Sequence, residues 1–158
     1  MKLLQTDKDY LRFQLASGEK AALLEVLKHY PCVPPAHHRL TRKGAADPET
    51  EKQLLLDEAV AEQRAQNKRQ LEALLQRPET FRRAQSHWRF TLRHGDFEWL
   101  LQVLNDVRVG SWLALGSPEQ LPRSVPDDPE RASRVLVMEL AGFFQMTLLE
   151  AAGRTGGP

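Results

Sequence analysis

Five histidines, one cysteine and scattered carboxylates are the residues of this chain with the means to do chemistry. Glu25 with His29, and His94 with Glu98, stand four residues apart, a spacing that sets both side chains on one face of a helix. A zinc site needs three or four converging ligands, and a di-metal bundle needs each such pair joined by a second. Neither pair has that company, and His37 and His38 adjoin in a loop. Cys32, between Pro31 and Val33, carries no local nucleophile signature and reads as a small buried thiol. No Gly-rich phosphate loop, nucleophile elbow or paired-carboxylate motif occurs. The sequence therefore offers no catalytic residue, no metal site and no cofactor.

The polar residue with the most to say is Arg108. On a helix over about 97–115, turning about 100° per residue, it falls among Phe97, Leu101, Leu104, Trp112 and Leu115, the middle of an apolar stripe. Burial is the expectation, and a buried guanidinium requires a carboxylate. Glu139, at the edge of a stripe made by Phe143 and Met146, is the first candidate; Glu58 is the reserve, and Asn105 completes the cluster. Asp106 points away from Arg108 on the same helix. The cluster of Asn105, Arg108, Glu139 and Glu58 is read first as a structural keystone. Its alternative is a small-ligand or enzyme pocket between two halves of the chain.

Those halves come from an ungapped alignment of 10–28, YLRFQLASGEKAALLEVLK, with 87–105, HWRFTLRHGDFEWLLQVLN. Leu11, Phe13 and Leu15, like Trp88, Phe90 and Leu92, alternate as in a half-buried strand. Ser17 or Asp96 then caps a helix, with Gly18 or Gly95 allowing the turn. Asp-Pro-Glu at 47–49 and again at 128–130 combines an N-cap, a proline at the first helical position and an acid in the first turn. Past those tripeptides Leu55 matches Leu136 and Glu58 matches Glu139.

The resulting expectation is a single mainly α domain over 1–158, built from two strand-helix-helix units with a small β-sheet, the repeat covering 10–77 and 87–153. Strands are expected at 2–5, 10–15 and 88–92, and helices at 18–30, 48–76, 97–115 and 129–152. A short helical turn should follow Pro78; a rival reading makes 79–93 one helix. The two repeated strands, each in need of a partner for its backbone groups, should pair about a pseudo-twofold axis.

Composition sets the outer limits. At 41% hydrophobic and 27% charged residues the chain has the balance of a folded globular protein. The most apolar stretch, 135–149, is broken by Glu139, Gln145 and Thr147, so no bilayer span is expected. A lone cysteine and the lack of a secretion signal fit a reducing cytoplasm. The net charge of +1 hides a local +5 over 62–95 and a local −5 over 96–130. The basic segment, with Phe81, Trp88 and Phe90 interleaved, suits nucleic acid as a secondary reading; the primary one is a solvated helix face balanced by acids elsewhere. In the long helix, leucines cluster at both ends around the polar run AEQRAQNKRQ. That middle is read as an exposed span, the alternative being a partner helix along Val60, Asn67 and Leu74.

The run WLLQVLNDVRVGSWLALG at 99–116, followed by ELAGFFQMTLLEA at 139–151, resembles a family of uncharacterised bacterial helical proteins, a domain of unknown function marked by a Leu-Asn-Asp-hydrophobic-Arg helix. The family's middle helix usually carries a Phe-Arg-Arg run with no counterpart on the helix at 48–76. The resemblance implies a mainly helical cytoplasmic protein, some relatives being encoded near the adaptor of the Clp protease, and it carries over no activity. The function expected is a non-enzymatic interaction or adaptor module, acting on a protein partner or as a homo-oligomer.

Overall fold

A computed structural model of the protein describes residues 1–34, 48–120 and 126–153. Two strands, β1 (Lys2–Thr6) and β2 (Tyr10–Leu15), lead into α1 (Ser17–Lys28) and α2 (Pro48–Gln76). The hairpin β3 (Phe81–Ala84) and β4 (His87–Arg93) then leads into α3 (His94–Ala114) and α4 (Pro129–Gly153). The mainly helical chain with a small sheet is as expected.

All strand pairs are antiparallel, in the order β1-β2-β4-β3. The expected pairing of the two central strands is present. Phe13 and Phe90, equivalent in the sequence alignment, are each other's direct partners, flanked by Leu11 with Leu92 and Leu15 with Trp88. Alternation turns Leu11, Phe13, Leu15, Phe90 and Leu92 to one face, where they are buried in a core shared with α1, α3 and α4. Phe13 and Phe81 flank the Phe90 ring at centroid distances of 6.0 and 5.0 Å.

A single hydrogen-bonded turn follows Pro78, the Thr80 N–H donating to the Arg77 carbonyl at 3.1 Å, but it leads into the unexpected strand β3, and the one-helix reading of 79–93 is wrong. With a single large apolar residue in FRRA, no period was visible. Its strand character comes from pairing with β4, closed by a two-residue turn in which Gln85 takes φ +48°. The sequence Phe-Arg-Arg occurs on this strand, at 81–83, and not on α2.

The helix starts also move. Ala16 and Arg93, not Ser17 and Asp96, occupy the N-cap positions, and neither Gly18 nor Gly95 takes a positive φ. Glu19 accepts the Ala16 N–H at 2.8 Å, tying off the start of α1. Helix α3 begins directly from β4, which places Asp96 inside its first turn. Its end is as expected: Gly116 takes φ +87°, and the N–H groups of Gly116 and Ser117 bond back to Leu113 and Trp112 at 3.0 Å.

Helices α3 and α4 lie alongside each other, with Val103, Val107, Val137, Ala141, Phe144 and Leu148 in the common core. Helix α2 is different. Leu71 and Leu74 near its C-terminus are buried, but Leu54 and Leu55 near its N-terminus are 59% and 61% exposed. Its middle is not a fully exposed span. Asn67 is buried, takes a 2.9 Å bond from Gln63 and bonds the Tyr30 phenol, while Arg64 donates to the Val33 carbonyl. Arg64 and Asn67 therefore serve this chain's own Tyr30–Val33 turn, while Leu74 joins the core.

Helix α4 corrects the reading of its composition. It is the one described helix long and apolar enough to cross a membrane, with a mean hydropathy of 1.5 over its best window. A third of that window, 33%, is buried inside the protein, Phe144 and Leu148 included, so the same hydropathy also describes a core helix.

Candidate functional site

On α3 the buried positions are Asp96, Trp99, Leu100, Val103, Leu104, Val107, Gly110 and Ser111. Arg108 lies roughly 120° round the helix from the middle of that arc, and it is exposed. The expectation of a buried Arg108 keystone is therefore wrong. The stripe through Phe97, Leu101, Leu104, Arg108, Trp112 and Leu115 does exist, but it runs along the edge of the core: Leu104 and Leu115 are buried, Phe97 and Leu101 are half-buried and Trp112 is 39% exposed. A helix apolar over most of its circumference offers two stripes, and period alone does not say which one is covered.

The other residues of the expected cluster are exposed as well. Glu139 sits on the side of α4 away from Val137, Ala141, Phe144 and Leu148. No ion pair joins it to Arg108 among the described residues. The two nevertheless line one open groove of about 820 Å³ between α3 and α4, with Val109, Trp112, Phe143, Met146 and Leu149. Gly142 forms part of its wall, and a Cβ there would come within 3.7 Å of the Arg108 Nε. Trp112 is held at the groove by its indole N–H, which donates to the Pro118 carbonyl at 3.1 Å. Asn105 lies in a neighbouring hollow of about 460 Å³, within 3.5 Å of the Gln145 amide. Glu58, on the far part of α2, lines neither. The groove is thus inside the second half of the chain and not between the two halves.

The joining role expected of Arg108 falls to another pair. Arg77, just past α2, bonds both carboxylate oxygens of Asp96, whose residue is 5% exposed. This fastens the end of α2 to the first turn of α3, where an acid also suits the positive end of the helix dipole. Close by, the buried Thr80 hydroxyl donates to the Leu74 carbonyl at 2.7 Å. Sequence spacing could not find these contacts, since 19 residues and a change of element separate Arg77 from Asp96.

Asp106 also has a use the sequence did not reveal: it accepts the backbone N–H groups of Cys32 at 2.6 Å and Val33 at 3.3 Å. The chain past the cis Tyr30–Pro31 bond is thereby laid against α3 at Gly110. A Cβ on Gly110 would stand 2.4 Å from the Cys32 carbonyl carbon, so only glycine permits this approach. The Cys32 thiol, half-buried, has the Ser111 hydroxyl and an Arg134 nitrogen each at 3.9 Å. Burial pushes the Tyr30 phenol up from its usual pKa, against the lowering effect of its bond to Asn67.

Of the histidine pairs, Glu25 is bonded to Lys28 at 2.8 Å, and His94 has an Nε2 contact of 3.0 Å with the Asp7 carbonyl. His37 and His38 lie outside the described residues. Among the described residues no three His, Cys, Asp or Glu side chains converge as metal ligands. The α3/α4 groove brings together a wide apolar floor, one cation, Arg108, and two carboxylates, Glu119 and Glu139, an arrangement suited to binding.

No curated protein and no solved structure matches this sequence. A family model does, over 8–152, and the chain belongs to that family, which is described as a domain of unknown function, DUF2017.

Proposed function

We propose that this protein is a non-enzymatic interaction module that associates with a second copy of itself through the α3/α4 face. The observation that carries this reading is the concentration of exposed large apolar side chains there: Trp112, Phe143, Met146 and Leu149 on one groove, with Met146 59% exposed. Apolar patches of that kind on soluble proteins mark interaction sites. The face is also self-complementary. Arg108 and Glu139 stand on it without ion pairs among the described residues, and a twofold contact sets each copy's cation opposite its partner's anion. An adaptor role for a different protein would use the same surface. The cytoplasm is the proposed location, on the ground of the single cysteine.

The reading extends to the origin of the chain: two strand-helix-helix units, 10–77 and 87–153, in which α2 and α4 are equivalent and only the second lies along its neighbour. The mutual pairing of Phe13 with Phe90 supports this, because a twofold through a strand pair makes equivalent residues partners.

Sedimentation equilibrium tests the association. The expected result is a dimer that Met146→Glu converts to monomer with the circular dichroism spectrum unchanged; a wild-type monomer at all concentrations would overturn it. A small-ligand site is the second reading, favoured by a groove volume within the ordinary ligand range and by the Arg108 guanidinium beside it. Saturable calorimetric binding of small carboxylates, abolished in Arg108→Gln, is the result that would prefer it.

A further inference from the structure

The sheet buries one face against the helices, and on its other face several cations stand without an acidic partner among the described residues. The strands hold Lys2, Arg12, Arg82, Arg83, Arg89 and Arg93 and no acidic residue. Register decides where these cations stand. Arg82 on β3 is directly opposite Arg89 on β4, Arg89 is opposite Gln14 on β2, and Gln14 is opposite Lys2 on β1. These four form one row across the whole sheet, about 15 Å long at the usual strand spacing. The next row is Thr91, Arg12 and Gln5, with Arg12 bonded to Gln5 at 2.8 Å. Beyond it Tyr10 faces Arg93, which pairs with Glu79 at 2.7 Å.

Like charges directly opposite each other weaken a ladder. Arg82 and Arg89 are nevertheless adjacent, exposed, and without an ion pair or side-chain hydrogen bond among the described residues, as is Lys2. Sequence alone did not show this grouping, because Lys2 and Arg12 lie far from the basic segment at 62–95, and Phe81, Trp88 and Phe90 of that segment turn to the opposite face.

We propose that this outer face binds the phosphate backbone of single-stranded nucleic acid, through Lys2, Arg82 and Arg89 with Arg12 beside them, without reading base sequence. Charge complementarity supplies the attraction, and arginine forks match phosphate oxygens. Beside the row stand Thr91, Gln5 and Tyr10, polar groups suited to sugar and phosphate oxygens, with Leu4 of β1 the one large exposed apolar residue on the strands. A protein partner would want a desolvated apolar centre on this face, whereas nucleic-acid interfaces are polar and positive. A duplex groove takes a protruding helix or ribbon; a single backbone fits a flat four-stranded face. This site is separate from the α3/α4 groove and stands whether or not the chain self-associates.

Fluorescence anisotropy of a labelled short oligo(dT) against the whole protein tests it. Expected is binding at low ionic strength that weakens with salt, with a slope of log K against log salt of about −2 for three phosphates contacted. Arg82→Gln with Arg89→Gln should weaken binding about tenfold or more and flatten that slope, with an unchanged circular dichroism spectrum, while Arg69→Gln on α2 should leave it as it was. The proposal is overturned by absence of binding at low salt, by equal binding of the double variant, by tighter binding of a duplex of the same length, or by poly-glutamate displacing the oligonucleotide at equal charge.

Discussion

Arg77 and Arg108 show how differently two arginines can be used within one chain. Arg77 neutralises a buried carboxylate, so Arg77→Ala should cost about 3 kcal/mol in urea unfolding, the low end for a broken buried pair because the Arg77 side chain is itself 26% exposed. Arg108→Ala, on an exposed side chain, should move the midpoint by no more than about 0.5 kcal/mol and show its effect in association. Gly110→Ala should destabilise by about 1–3 kcal/mol, since its methyl would collide with backbone, which cannot rotate away. Tyr30 gives the fold an alkaline limit. Its phenol is raised by burial, so its stabilisation is whole below its unfolded pKa of about 10 and is lost as pH climbs from there through the higher folded value. Tyr30→Phe should remove that loss from a stability titration between neutral pH and strong alkali.

Among the elements, β2 and β4 make the seam on which both halves depend, and α2 is the least committed. Phe90 is fully buried between Phe13 and Phe81, so Phe90→Ala should cost about 3–5 kcal/mol. Along α2, hydrogen exchange should slow from the Leu54 end to the Leu74 end, because only the latter is packed into the core. Uniform protection over the whole helix in the monomeric Met146→Glu protein would contradict that gradient. Helices and the two long central strands were legible in the sequence, since each runs through several periods of its pattern. Strand β3 was not: four residues with one large apolar side chain carry no period, and pairing alone makes them a strand.

At the scale of the molecule, charge and apolar surface are divided between two sides, a basic open sheet and an apolar helical groove rimmed by Arg108 and Glu139. If the groove is the self-association surface, the melting temperature should rise with protein concentration in the wild type and stay constant in Met146→Glu. The sequence by itself determined the helical character, the positions of the long elements to within a few residues and the pairing of the central strands, because these follow from hydrophobic period, cap residues and the need of every strand for a partner. Tertiary structure decided which of two apolar stripes on α3 is covered, and with it the exposure of Arg108. It also decided that Arg77 meets Asp96, that Asp106 holds the backbone at Cys32, and that cations far apart in the chain share one row of the sheet. Each of these depends on the relative placement of elements, which is set by the sum of many small packing terms and leaves no local mark in the residues concerned.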